Sequence, residues 1–163
     1  MKKIALLLSA VMSISLLPTI SFAAGNTIST AAELQNFRDS VNNGNTYEGQ
    51  TVTLAAQVDL SSISWNSIGT EEHPFKGTFD GGGKTVTGLN AETEDMYAGL
   101  FGYNSGTIKN LNVETTENGV RQSLSIETGV EKKSKHMFGG AVAAYNTGNI
   151  SNCTAKGLVY GYN

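Results

Sequence analysis

Residues 77–90 read GTFDGGGKTVTGLN and residues 99–112 read GLFGYNSGTIKNLN, and the two stretches align at an offset of 22. Phe79 falls on Phe101, Thr85 on Thr107, Val86 on Ile108 and Leu89 on Leu111. A third copy, residues 141–154 (AVAAYNTGNISNCT), matches residues 99–112 at an offset of 42 and places Tyr145 on Tyr103, Asn146 on Asn104 and Ile150 on Ile108. Self-similarity at a fixed period is the mark of a solenoid, whose units bury their apolar faces only by stacking on one another.

Within each copy the apolar residues alternate over short β-branched runs: Thr85-Val86-Thr87, Thr107-Ile108-Lys109 and Asn149-Ile150-Ser151. Gly and Asn bound these runs and no helical period appears, so they predict strands joined by turns. A circuit of about 20 residues suits one coil of a parallel β-helix, with neighbouring coils ~4.8 Å apart. Val86, Ile108 and Ile150 are then expected to form one inward ladder, and Leu89, Leu111 and Cys153 a second. Asn104, Asn110, Asn146 and Asn152, with Gly81, Gly82, Gly83, Gly88, Gly106 and Gly148, are expected at corners, where positive φ is needed. Stacked asparagines would share amide hydrogen bonds from coil to coil.

Lys2-Lys3, the apolar run from Ile4 to Leu17, Pro18 and Ser21-Phe22-Ala23 have the order of a secretory signal peptide. Residues 1–23 are read as that leader and 24–163 as a single exported domain, secreted or held at the cell surface. No later stretch is long and apolar enough to predict a transmembrane segment. Without the leader's two lysines, nine basic residues face 14 acidic ones, a net charge near −5. That balance argues against nucleic acid as a partner. Only 15% of residues are charged and 19 are glycine, a composition suited to many turns. Cys153 is the only cysteine, so no disulfide forms within the chain; it reads as a small buried apolar residue.

Ser29-Thr30 with Glu33 forms a capping-box pattern, and Leu34, Phe37 and Val41 recur at helical spacing until Asn42-Asn43-Gly44. This predicts one helical cap over about 30–43, covering the N-terminal end of the stack. A strand is expected over Thr51 to Leu60, then a loop with Trp65, Ile68 and Pro74, then repeats over about 77–163. A polar insertion over about 114–137, with turn signals at Asn118-Gly119 and Gly129, is read as an extra coil or a projecting hairpin. The last copy runs to Gly161-Tyr162-Asn163 without a cap, which suggests end-to-end self-association or a longer protein.

Gly99-Leu100-Phe101-Gly102, followed by Tyr103-Asn104-Ser105-Gly106-Thr107-Ile108, resembles the GLUG repeat (Gly-Leu-hydrophobic-Gly) of bacterial surface and secreted proteins. The upstream run through Val58-Asp59-Leu60, Trp65-Asn66-Ser67-Ile68-Gly69 and Phe75-Lys76-Gly77-Thr78-Phe79-Asp80-Gly81 is similar to the region preceding such repeats. The resemblance spans nearly all of residues 24–163 and implies an all-β, right-handed parallel β-helix. It further implies an adhesin-like protein with no catalytic residues assigned to the repeat. The third copy departs from the pattern at Ala141-Val142-Ala143-Ala144.

Gly83-Lys84-Thr85 is no P-loop: the glycine required five residues earlier is Thr78, and a strand follows where a helix should begin. β-Helical lyases and hydrolases of polysaccharides need clustered carboxylates. Asp59 and Asp80, 21 residues apart, are the one pair that could share a face, although turn roles for both are the stronger reading. Glu71-Glu72-His73 lacks metal-ligand spacing, and no cofactor or metal is expected. Lys132, Lys133 and Lys135, with His136, form a basic run in an acidic chain and could attract an anionic glycan or cell-envelope polymer; a plain solvated loop is the simpler account. Tyr103 and Tyr145 occupy equivalent positions and would stack on sugar rings if they face outward, or pack a corner if inward. The function expected is a non-catalytic adhesion or glycan-binding module, with a polysaccharide lyase or hydrolase and a structural spacer as alternatives.

Overall fold

The computed structural model describes residues 26–93, 96–122 and 138–160; the leader, Lys132, Lys133, Lys135 and His136 lie outside them. The described chain begins with β1 (Thr27–Ile28) and the single helix α1 (Ala31–Asn42). Thr30 is its N-cap: the Glu33 amide donates to Thr30 Oγ1 at 3.2 Å, while Glu33 Oε2 accepts from the amides of Ser29 (2.7 Å) and Thr30 (3.0 Å). Three donors at the helix start are thereby satisfied. Leu34, Phe37 and Val41 are buried on one face, the face that the 3.6-residue period selects. Phe37 packs against the rings of Tyr47, Phe75 and Phe79 at 4.9–5.7 Å between centroids.

Thirteen short strands follow among the described residues: β2 (Thr51–Leu54), β3 (Val58–Asp59), β4 (Thr78–Asp80), β5 (Thr85–Thr93), β6 (Tyr97–Ala98), β7 (Phe101–Asn104), β8 (Thr107–Lys109), β9 (Asn112–Gln122), β10 (Phe138–Gly139), β11 (Ala143–Asn146), β12 (Asn149–Ser151), β13 (Thr154–Lys156) and β14 (Val159–Tyr160). Every pairing among them is parallel. One sheet runs β1-β2-β4-β8-β12 and a second β3-β5-β9-β13, with β14 also on β9; β6 pairs β10 and β7 pairs β11. The chain is therefore all-β with one helix, its strands gathered into several short parallel sheets. These sheets share one core, in which Val52, Phe79 and Ile108 of the first sheet meet Val58, Val86 and Val113 of the second and Phe101 of β7. No helix among the described residues is long and apolar enough to cross a membrane.

The offset of 42 is a true register: Ile150 pairs Ile108, Tyr145 pairs Tyr103 and Asn146 pairs Asn104. The offset of 22 is not. Val86 lies beside Val113 rather than Ile108, whose neighbours are Phe79 and Ile150, and Leu89 pairs Thr115 rather than Leu111. Matching 85–87 to 107–109 compares β5 with β8, strands of different sheets that share only the same apolar alternation. The return to the same sheet takes 27 residues from Val86 to Val113 and 29 from Phe79 to Ile108, longer than the expected 20. Val86, Leu89, Ile108 and Leu111 are all buried, so the core membership holds while the ladders are rewired. Ile150, expected inside, is 37% exposed, and Cys153 is only half-buried.

Two other expectations are corrected. Thr51 to Leu60 is not one strand: Ala55-Ala56-Gln57 turns the chain so that β2 and β3 join different sheets. Residues 114–122 of the expected insertion continue β9, where the register against β5 slips between Leu89 and Ala91. Gly119, with φ of 68°, supplies the positive-φ position there.

The asparagines divide into two kinds. Asn110 and Asn152 adopt left-handed φ of 53° and 50° and form the expected amide ladder, Asn152 Nδ2 donating to Asn110 Oδ1 at 2.7 Å and Asn110 Nδ2 to Asp80 Oδ1 at 3.0 Å. Asn104 is fully buried without that backbone strain; its Nδ2 donates to Asn146 Oδ1 at 2.6 Å and its Oδ1 accepts from the Gly106 amide. Gly106 and Gly148 are glycines for a different reason than expected, since a Cβ on Gly148 would strike the Gly106 carbonyl and one on Gly106 the Gly77 carbonyl.

Phe79→Ala deletes a ring that bridges Phe37 and Phe101; it is expected to lower unfolding stability by about 3–5 kcal/mol, measured by urea denaturation.

Candidate functional site

Parallel pairing of β6 with β10 and of β7 with β11 brings four aromatic residues together. Phe138 is in register with Tyr97 and Tyr145 with Tyr103. Ala98, Leu100 and Phe101 from the same stretch are buried in the core, whereas Tyr97, Tyr103, Phe138 and Tyr145 stay half-buried outside it. The rings form one connected patch: Tyr103 to Tyr145 is 4.7 Å between centroids, Tyr97 to Phe138 5.5 Å and near-parallel, Phe138 to Tyr145 5.3 Å and Tyr97 to Tyr103 5.6 Å. The tyrosine pair singled out by the repeat is thus half of a larger patch.

Hydrogen bonds from a loop hold this face in place. Ser67 Oγ meets the carbonyls of Tyr97 (3.1 Å) and Gly99 (2.9 Å) and accepts from the Gly99 amide. Asn42, the last residue of α1, donates through Nδ2 to the Ser67 carbonyl at 3.0 Å and accepts from the Gly69 amide at 2.7 Å. His73 Nδ1 lies 2.9 Å from the Asn42 carbonyl, which requires the proton on Nδ1. Asn42 and His73 thereby bracket the turn that carries Glu71 near the patch, where its charge acts on the Tyr97 hydroxyl.

The local field follows from that arrangement. Loss of hydration among the neighbouring rings, then the Glu71 charge, raises the pKa of Tyr97 above the usual phenol value. Tyr103 is raised by the same loss of hydration, then by Tyr145 and Glu71. Both hydroxyls stay protonated at neutral pH and available as donors, while the ring surfaces offer an apolar platform. The rings are mostly tilted or edge-on to one another, with Tyr97 and Phe138 alone near-parallel; a half-exposed ring face beside hydroxyls and a carboxylate can stack on a sugar ring and hydrogen-bond its hydroxyl groups.

The other sequence candidates are not brought together. Asp59 lies on β3, paired with β5, and its carboxylate accepts from the Ser61 amide at 2.9 Å. Asp80 lies on β4, in another sheet, where Oδ1 accepts from the Gly82 amide and Asn110 and Oδ2 is 3.3 Å from Lys109 Nζ. Each carboxylate closes a turn, and they do not form a dyad. Among the described residues no group of three or more His, Cys, Asp or Glu side chains could hold a metal. Lys84 follows a tight turn at Gly82-Gly83, both with positive φ, and leads into β5 rather than a helix. Comparison with known protein families, curated proteins and solved structures returns no match.

Sequence reasoning missed Tyr97, Phe138 and Glu71. Tyr97 and Phe138 become neighbours through pairing across the 123–137 segment; the spacing of 41 from 97 to 138, one short of the 42 from 103 to 145, was the available signal.

In a phenolate absorbance titration, Tyr97 and Tyr103 are expected to ionise above the ordinary tyrosine range, and Glu71→Gln to bring Tyr97 back toward it. Asn110, then the Gly82 amide and Lys109, lower the Asp80 pKa. Its contribution to stability is therefore present above the unfolded value of about 4 and lost as pH falls through the lower folded value. Asp80→Asn is expected to show a shallower loss of melting temperature over that acidic window.

Proposed function

We propose that this protein is an exported, non-catalytic module that binds glycans through the Tyr97, Tyr103, Phe138 and Tyr145 patch, and that its strands wind as a right-handed parallel β-helix of the GLUG-repeat kind. The uniform parallel pairing supports the winding: strands of each sheet recur in chain order, separated by the strands of the other sheets. Handedness follows from the strong preference for right-handed crossovers between parallel strands and from the resemblance of Gly99-Leu100-Phe101-Gly102. Export rests on the leader-like residues 1–23, and a secreted or cell-surface location follows from it.

The observation that carries the binding reading is the half-exposed aromatic patch on a scaffold where, among the described residues, Phe37, Tyr47, Trp65, Phe75, Phe79 and Phe101 are buried and Tyr160 is the one other exposed ring. Half-exposed rings in mutual contact contribute little to the core, and they form a surface suited to the apolar face of a saccharide. The Glu71 carboxylate at the hydroxyl edge favours neutral or amino sugars over uronates and sialic acids at this spot. Lys132, Lys133 and Lys135 precede Phe138 in the chain, and in this reading they supply a separate contact for anionic polymer.

A glycan array with the purified protein is the test. Binding of neutral or amino glycans is expected, weakened roughly tenfold or more in a Tyr103→Ala, Tyr145→Ala double variant with unchanged melting temperature. Absence of binding would favour a spacer role. Turnover of polysaccharide with or without calcium, abolished by Asp80→Ala, would overturn the non-catalytic reading.

A further inference from the structure

The chain between Ile68 and Phe75 carries more residues than the strand it runs beside. Ile68 bridges Phe101 and Phe75 bridges Asn104, so residues 69–74 stand opposite only Gly102 and Tyr103. Both junctions are tied to Tyr103 itself: its amide donates to the Gly69 carbonyl and its carbonyl accepts from the Phe75 amide, each at 3.1 Å. The interior there is already filled by Phe75 and Phe101, whose ring centroids lie 5.4 Å apart, so the surplus residues turn outward. The Thr70 amide donates to the His73 carbonyl at 3.1 Å and the His73 amide to Thr70 Oγ1 at 3.0 Å, which closes the turn. Tyr103 therefore has an outward turn on one flank and Tyr145 on the other.

Glu71-Glu72 occupies that turn, and both residues are exposed. The ion pairs among the described residues join Arg38 to Asp39, Lys76 to Glu48 and Lys109 to Asp80; none engages Glu71 or Glu72. The Glu71 charge reaches the Tyr97 and Tyr103 hydroxyls, and no basic side chain is among the charges acting on them. Aromatic faces themselves attract a cation placed within about 6 Å of the ring centroid. Ring faces and uncompensated carboxylates thus favour positive charge at the same place.

Resting on the glycan reading, we propose that the sugar this patch selects carries a free, protonated amine, so that the ligand class is a cationic amino-sugar polymer whose nitrogen is not acylated. The sugar stacks on a ring face, while its ammonium lies toward the rim that Glu71 and Glu72 make negative. N-acetylation keeps the stacking surface but turns the ammonium into a neutral amide, and so removes the charge on which selection depends. A uronate meets repulsion from the same carboxylates. The rings supply affinity for sugars in general, and the acidic turn supplies the choice among them.

Calorimetric titration of the full chain with a β-1,4-linked glucosamine oligomer and with its fully N-acetylated counterpart of equal length is the test. The amine form is expected to bind roughly tenfold more tightly at low salt, a preference that shrinks as salt screens it. A Glu71→Gln, Glu72→Gln variant is expected to lose the preference, to bind the acetylated oligomer as the wild type does and to keep its melting temperature. Glu114→Gln with Glu117→Gln on β9, the same change of charge in another sheet, is expected to retain the preference. Equal affinity of the wild type for both oligomers, a preference that survives in the Glu71 and Glu72 variant, or polylysine binding as tightly as the amine oligomer would overturn this proposal. Each of these outcomes leaves the glycan reading standing, whereas binding of no glycan of any kind would overturn both.

Discussion

Parallel strand pairing between one pass of the chain and the next is the interaction on which the rest of this protein depends. Parallel neighbours cannot be joined by a tight hairpin, so each strand must wait for the chain to visit the other sheets before its partner arrives. Ile108 therefore finds Phe79 on one side and Ile150 on the other, and the core is assembled from residues far apart in sequence. The polar corners obey the same rule. Asn104 to Asn146, Asn110 to Asn152, Ser105 to Thr147 and Thr154 to Asn112 are side-chain hydrogen bonds spanning 42 residues each, so the turns reinforce the register set by the strands.

Much of this was legible in the residues. Thr30 with Glu33 and the Leu34, Phe37, Val41 stripe define α1, because capping and helical period are local properties. The offset of 42 was a true register because corner asparagines and a tyrosine recur with the strands, giving a long and varied match. The offset of 22 misled for a physical reason: a short strand flanked by glycine and a polar residue looks alike on every face, so the match between 85–87 and 107–109 reports face similarity and not stacking. Local alternation tells which residues are buried, but only the return length tells which partner each meets.

The aromatic patch was half legible. Tyr103 and Tyr145 stand out because they share a repeat position, but their direction depends on a chain path that the alternation does not give. Glu71 was invisible for another reason. Its place at the Tyr97 hydroxyl depends on Asn42 at the end of α1 gripping the Ser67 carbonyl and the Gly69 amide, a tie between distant elements with no periodic signature. The helix thus has a second role beyond covering apolar surface: its last residue anchors the loop that gives the patch its negative edge.

The pairing that resumes after residue 137 has a further consequence. β10 and β11 rejoin β6 and β7 in register although the passage between β9 and β10 is longer than its counterpart between β5 and β6. Chain length at that point is uncoupled from stacking, and closing a longer loop grows more costly only slowly. The register that brings Phe138 beside Tyr97 is therefore set by the strands and not by the number of residues between them.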